Sequence, residues 1–430
     1  MRNAHHGIFA GILVLYLAIG ALYATRIGPY NAPDEPAHAN YVRHVAETGT
    51  LPILAAGDWD SDLLERLKAS RFPPGSDVST IRYESHQPPL YYGLIAVVTR
   101  AVRLPERADI VAMRLATLTI GAFGLIVAYA VAWRMVDPAT SLLAAAIVAF
   151  LPMRVAVTTS VSNDALVEAL MSLALLGALG VVRHGGTPIR AIGLGAIAGA
   201  AVLTKVTGFI ALPIVALAWA GAPPKHRGRN VAIVVGTTLV LVIPWIARGA
   251  SIYGLTDPLG LRRHDEVVVG QPLTGSPTPQ LVAAMAQTFF QSFWGQFGWM
   301  GTLMDGRVYA ILGIASAIAA IGAGLWLAPW GGFWRDETPL VRRGFALAAV
   351  LIVGVAIVPL AYNLRYLQPQ GRYVFPAIAA ISLFAATGLR ELIAPRQRRA
   401  VYATVGLGLA ALDVVALLRF IEPDIGLLAR

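Results

Sequence analysis

The fold turns on "PPLYYGLIAVVTRAV", Pro88–Val102. The stretch opens on two prolines, carries Arg100 near its end and runs into Arg103. It is shorter than the roughly 20 apolar residues that cross about 30 Å of hydrocarbon. It can therefore cross the bilayer or lie in the interface. The choice fixes the side of everything downstream. If it lies flat, the connectors bearing Arg134, Arg183, Arg190, "KHRGR" (Lys225–Arg229), "RDETPLVRR" and "RELIAPRQRR" all face the cytoplasm with the N-terminus. If it crosses, they all face outward, and the positive-inside preference fails at nearly every short loop. The interfacial reading is the consistent one.

Around that stretch the chain is strongly apolar. Of 430 residues, 57% are hydrophobic and 13% charged, with a mean hydropathy of +0.64. Repeated apolar runs of about 18–22 residues are too long for barrel strands, so the backbone must satisfy itself as helices. The expectation is an all-α polytopic membrane protein, one membrane domain over 1–430, with about eleven spans. They fall near 7–25, 111–133, 139–157, 164–182, 189–203, 207–222, 230–248, 308–329, 343–362, 373–390 and 400–420. Two long outward segments result, about 26–110 with interfacial helices and about 249–307. The first carries nine acidic residues before Pro88 against six basic ones, as suits an exterior face. No cleavage site follows the first apolar run, which reads as a signal anchor, and no separate soluble C-terminal domain is expected after "RFIEPDIGLLAR". With no cysteine, disulfides, thiolate catalysis and cysteine-ligated metals are excluded. The net charge of +10 is assigned to cytoplasmic anchoring rather than to nucleic acid.

The topology sends every unusual polar cluster to one side. "NAPDEPAHANYVRHVAE", Asn31–Glu47, holds Asp34 and Glu35 between two prolines just past a helix end. A carboxylate there can act as general base, or simply start an amphipathic helix at Pro36. "YESHQPPLYY" brings Glu84, His86 and Gln87 to the foot of the short stretch. His38 and His86 with nearby carboxylates could ligate a divalent metal ion, or be hydrogen-bonded loop residues. "SVSNDALVEAL" reads as a helix start with Ser162, Asn163 or Asp164 as the cap, and an outward N-terminus also attracts phosphate or orients a carboxylate. Lys205 interrupts an apolar hairpin, where it either snorkels or meets an anionic headgroup. In "NLRYLQPQGRYVFP", Arg365 and Arg372 flank a Pro369–Gly371 turn beside Gln370 and Tyr373. Such arginines grip phosphate oxygens in bidentate fashion, or form a collar to bulk lipid. "SFWGQFGWM", with Trp294, is either an interfacial belt or a surface that stacks on sugar rings.

Taken together, "PDEPAH", "HQPPLYY", the "SxND" helix start and the lysine-tipped hairpin "LTKVTGFIALP" resemble the C-type (GT-C), polyprenyl-phosphate-dependent glycosyltransferases. That superfamily includes protein O-mannosyltransferases and the lipid A aminoarabinose transferase; "SFWGQFGWM" and "QGRYVFP" look like a less characterised bacterial branch. The resemblance implies a sugar donor carried on a lipid phosphate and a glycan or lipid acceptor. It also implies a multi-pass protein of the bacterial inner membrane with its site on the extracytoplasmic face. Asp34 would be the catalytic base with Glu35 beside it, Asp164 the second acid, and Lys205, Arg365 and Arg372 the donor-phosphate ligands. His86, Gln87, Asn163, Gln370, Tyr373 and Trp294 would line the substrate, and His38 would be the candidate metal ligand. One base implies inversion at the anomeric carbon; a nucleophilic Glu35 or Asp164 would imply double displacement. A transporter or flippase is the rival reading, and predicts internal repeats and ionisable groups deep in the spans.

Overall fold

The structure, a computed structural model, describes residues 2–102, 104–220 and 226–427. Arg103 and Lys225, two of the basic residues used to set the topology, lie outside the described residues.

The first segment opens with α1 (Arg2–Arg26), α2 (Glu35–Thr48), α3 (Ser61–Ala69) and α4 (Leu90–Val102). Next come α5 (Glu106–Met135), α6 (Pro138–Ala149), α7 (Pro152–Thr158), α8 (Asp164–His184), α9 (Pro188–Val202), α10 (Ala211–Ala220) and α11 (Arg227–Tyr253). Beyond them lie α12 (Leu261–Val267), α13 (Pro279–Trp294), α14 (Gly306–Leu327), α15 (Gly332–Arg335), α16 (Pro339–Tyr362), α17 (Ile378–Leu392) and α18 (Arg398–Val415). Among the described residues, eight helical stretches are long and apolar enough to cross a membrane, and the bent pair α6–α7 makes up to nine. The protein is therefore a multi-pass membrane protein. The count differs from eleven because α9 and α10 hold only 15 and 10 residues, too few to cross singly.

Two features of the sequence explain the irregular helices. Pro152 lacks an N–H and pushes Leu151 to extended backbone, so α6 and α7 meet at 62°. Arg154 then repairs the break: its Nη1 donates to the Val148 carbonyl at 3.0 Å while its other nitrogens hold Glu168. Between α9 and α10 the chain turns tightly, because a Cβ on Gly208 would sit 2.1 Å from the Ala201 backbone. That turn presents Lys205 at its tip.

The thirteen-residue α4 spans only about 20 Å. Tyr91, Tyr92 and Ile95 face inward, while Leu94 and Val97 remain exposed. With α2, α3 and the loop to Tyr83 it encloses a separate small core that includes Tyr41, Leu64, Phe72 and Ile81. This cap sits on the beginnings of α5 and α8 through Met113, Val161 and Leu166. The segment 249–307 holds α12, the 16-residue α13 and a two-stranded hairpin, Gln296–Phe297 with Thr302–Leu303. The chain end returns to the same end of the bundle, where Gly28 N–H bonds the Ile425 carbonyl and Asp424 pairs with Arg71. At the opposite end Arg183 bonds the Arg134 carbonyl and Arg390 pairs with Glu337.

Candidate active site

Asp34 ends the turn after α1 with φ 65° and ψ −5°, a left-handed backbone that aspartate tolerates better than bulkier residues. Its side chain makes no capping bond to α2. Its carboxylate turns instead toward two donors: Tyr83 OH at 2.9 Å and Arg372 Nη2 at 2.9 Å. Arg372 is positioned by a 3-10 turn, Gly371–Ala377, seated on α13. Gly371 N–H donates to Ser292 Oγ at 2.7 Å, and a Cβ on Gly371 would fall 2.2 Å from the Phe289 carbonyl oxygen. Gln370 Oε1 then accepts from Arg372 Nε at 2.7 Å, and the guanidinium lies 5.5 Å over the Tyr373 ring.

On its other side Arg372 Nη1 stands 4.0 Å from Asp164 Oδ2, and the remaining Asp164 oxygen is paired with Lys205. Neighbouring Asn163 donates to the Thr204 carbonyl at 3.1 Å and to Gln87 Oε1 at 3.4 Å. Two acids and two cations thus alternate across α2, the 3-10 turn, α8 and the α9–α10 turn, formally neutral. Asp34 is the most open of them: its side chain is 31% exposed, against 5% for Arg372. Burial alone would raise the Asp34 carboxyl, but Arg372 and His38 outweigh it and hold it below the usual carboxylate range. Burial and the Asp34 charge keep the Tyr83 phenol protonated, so it remains a donor.

Other expected residues go elsewhere. Glu35 is fully buried and faces Arg114, which grips it at 2.7 Å through both Nε and Nη2. It also accepts from the backbone N–H groups of Tyr30 and Val161, so the structure gives it to the fold rather than to the cluster. Arg365 is mostly exposed and pairs with Asp265 at 3.0 Å, apart from Arg372. Trp294 ends α13 in an edge contact with Phe293. The tyrosines explain His38, whose Nδ1 meets Tyr92 OH at 2.8 Å while Tyr41 stacks flat on Tyr92. Among the described residues no group of three or more histidines and acids is gathered to hold an ion. Tyr83, which touches Asp34 directly, escaped the sequence reading. Its signal was its place in "YESH", one residue ahead of Glu84.

His86 lies against His264 with ring centroids 4.8 Å apart and the planes tilted by 48°. Burial, then the His264 charge, lower its pKa from 6.5 to about 4. The sign follows directly. Between pH 6.5 and 4 the unfolded chain binds a proton here that the fold refuses, so stability falls on acidification across that window. We expect His86→Gln to flatten the decline of melting temperature between pH 6.5 and 4. An unchanged slope would remove His86 as its source.

Residues 53–381 match the family described as "Predicted membrane protein (DUF2142)". No curated protein matches the sequence. Among solved structures, ArnT from Cupriavidus metallidurans bound to undecaprenyl phosphate is similar with a TM-score of 0.57 at 16% identity, over 97% of this chain and 71% of ArnT. The Archaeoglobus fulgidus oligosaccharyltransferase in its apo form gives 0.58 at 13% identity, over 95% of this chain and 55% of that one. The same organism's AglB, in complex with an inhibitory peptide and a dolichol-phosphate, gives 0.51 at 14% over 95% and 54%. The chain thus spans little more than half of the oligosaccharyltransferase. At such identities the likeness is one of fold. With three quarters of its length matched, the chain belongs to the DUF2142 family of membrane proteins, and its fold is similar to those of ArnT and the oligosaccharyltransferase.

Proposed function

We propose that the protein transfers a sugar from a polyprenyl-phosphate donor to a glycan or lipid acceptor at the extracytoplasmic face of a bacterial inner membrane. The observation that carries this reading is one nearly buried guanidinium shared by two carboxylates, of which Asp34 alone is substantially open. A lipid phosphate leaves as an anion and needs fixed cations in a poorly solvated site. Arg372 and Lys205 are the two cations of the cluster, and a donor phosphate competes with Asp34 and Asp164 for them. As the phosphate draws Arg372 away, Asp34 loses the charge that holds its carboxyl down. Its basicity rises as the acceptor hydroxyl arrives. Asp34 then takes the hydroxyl proton, the acceptor oxygen attacks the anomeric carbon, and the bond to the phosphate oxygen breaks. Glu35 is committed to Arg114 and Asp164 to Lys205, so a single, inverting displacement is favoured.

The test is donor binding. Arg372→Ala should weaken undecaprenyl-phosphate binding by about 10–100-fold, the scale of a lost hydrogen bond to a charged group. Unchanged affinity would remove Arg372 from the phosphate site. The facing is tested separately. The chain has no cysteine, so single-cysteine variants are labelled at one place only. In spheroplasts an impermeant maleimide should modify Ser79→Cys and spare Arg396→Cys; the reverse pattern would invert the proposed topology.

A further inference from the structure

The cluster leaves buried acceptors with nothing to accept. Glu84 is 9% exposed, and its Oε2 is wholly buried with no hydrogen-bond partner. Asn163 is fully buried and spends its amide N–H groups on Thr204 and Gln87, while its Oδ1 has no donor. A buried polar atom left unpaired costs about 1–3 kcal/mol, and more for a charged one. Two such atoms on residues joined through Gln87 call for a partner.

The local fold links them through Gln87. Glu84 lies in the 3-10 turn Tyr83–His86, which Gln87 closes by donating its N–H to the Glu84 carbonyl at 3.0 Å. That bond ties Glu84 to Gln87, the residue whose side chain touches Asn163. On its other side Tyr83 reaches Asp34. Among the carboxylates facing His38, Glu84 acts most strongly, ahead of Asp34 and Asp164. Both orphan atoms are acceptors, so the missing partner must be a donor. Lipid phosphate offers none, whereas a sugar carries hydroxyl groups and an amino sugar an ammonium group.

We infer that Glu84 and Asn163 form a subsite for the hydroxyl or ammonium donors of the transferred sugar, and that Glu84 sets which sugar is accepted. The inference rests on the donor class proposed above.

The experiment separates the two. Purified full-length protein is titrated with bare undecaprenyl phosphate and with undecaprenyl phosphates bearing a hexose, a pentose or an amino-pentose. Wild type should bind one sugar-bearing lipid more tightly than the bare lipid. Glu84→Gln should weaken that complex about 10-fold while leaving bare-lipid affinity within twofold. Glu84→Asp, which keeps the charge and shortens the reach, serves as the second variant and should show the same selective loss. Equal loss for bare and sugar-bearing lipids, no loss at all, or a wild type without sugar preference would each overturn the subsite. A wild type that binds neither kind of lipid would overturn the donor class itself.

Discussion

Asp34→Asn should lower sugar transfer by about 10²–10⁴-fold, the usual contribution of a positioned acid–base group, while donor binding survives. The amide keeps the shape of the carboxylate and can still accept the hydrogen bond that Tyr83 OH donates at 2.9 Å. It cannot take a proton. The same change releases Arg372 from its 2.9 Å ion pair, so a cation that was shared becomes free for the donor phosphate. The expected signature is a collapse of kcat with a donor KM that holds or falls. Arg372→Ala should show the opposite pattern, with weakened binding dominating the loss. If Asp34→Asn instead raised the donor KM and spared kcat, Asp34 would be a binding residue and the base would lie elsewhere.

Glu35→Gln, one residue away, should act on the fold. The Glu35–Arg114 pair has side chains 0% and 1% exposed, and Arg114 also donates to the carbonyls of Ala24, Ile27 and Gly28. It ties the end of the first helix to α5 and to the turn that carries Asp34. Removing one member of a buried pair strands the other charge, at a cost of about 3–5 kcal/mol. We expect a large fall in the detergent melting temperature and poor recovery of monodisperse protein. The double variant Glu35→Met/Arg114→Met removes both charges and should recover much of the loss. Asp34→Asn, in contrast, should melt close to wild type. Neighbouring carboxylates would then have separate phenotypes, one kinetic and one thermodynamic. Equal melting of Glu35→Gln and wild type would mean that the pair contributes little to the fold.

The contrast also marks how far the sequence could be read. The apolar runs and the position of the short "PPLYYGLIAVVTRAV" stretch are one-dimensional signals, since length against bilayer thickness is all they need. The polar loops reached one end of the bundle by parity alone, which is why Asp34, Asp164, Lys205 and Arg372 could be grouped before any contact was visible. Pairing could not be read. Asp34 and Glu35 look equivalent in "PDEP", and only the left-handed turn at Asp34 sends one carboxylate to Arg372 and the other to Arg114. Arg114 itself stood inside an expected span, where a charge is costly enough to demand a partner; that signal was available and went unused. Arg154 and Glu168 stood in the spans in the same way, and the rival transporter reading looks for such groups. In the fold they mend the break before Pro152. Arg365 and Arg372, symmetrical about their turn in the sequence, diverge because only Arg372 follows the glycine that fits against α13.

The central claim is that Asp34 is the base in transfer from a lipid-phosphate sugar. It is tested most directly by incubating purified protein in detergent with a panel of labelled polyprenyl-phosphate sugars and a cell-envelope acceptor extract. Wild type should release polyprenyl phosphate from at least one donor and move the label to an acceptor, and Asp34→Asn should abolish that transfer while still binding the donor. Transfer by Asp34→Asn at the wild-type rate would contradict the account.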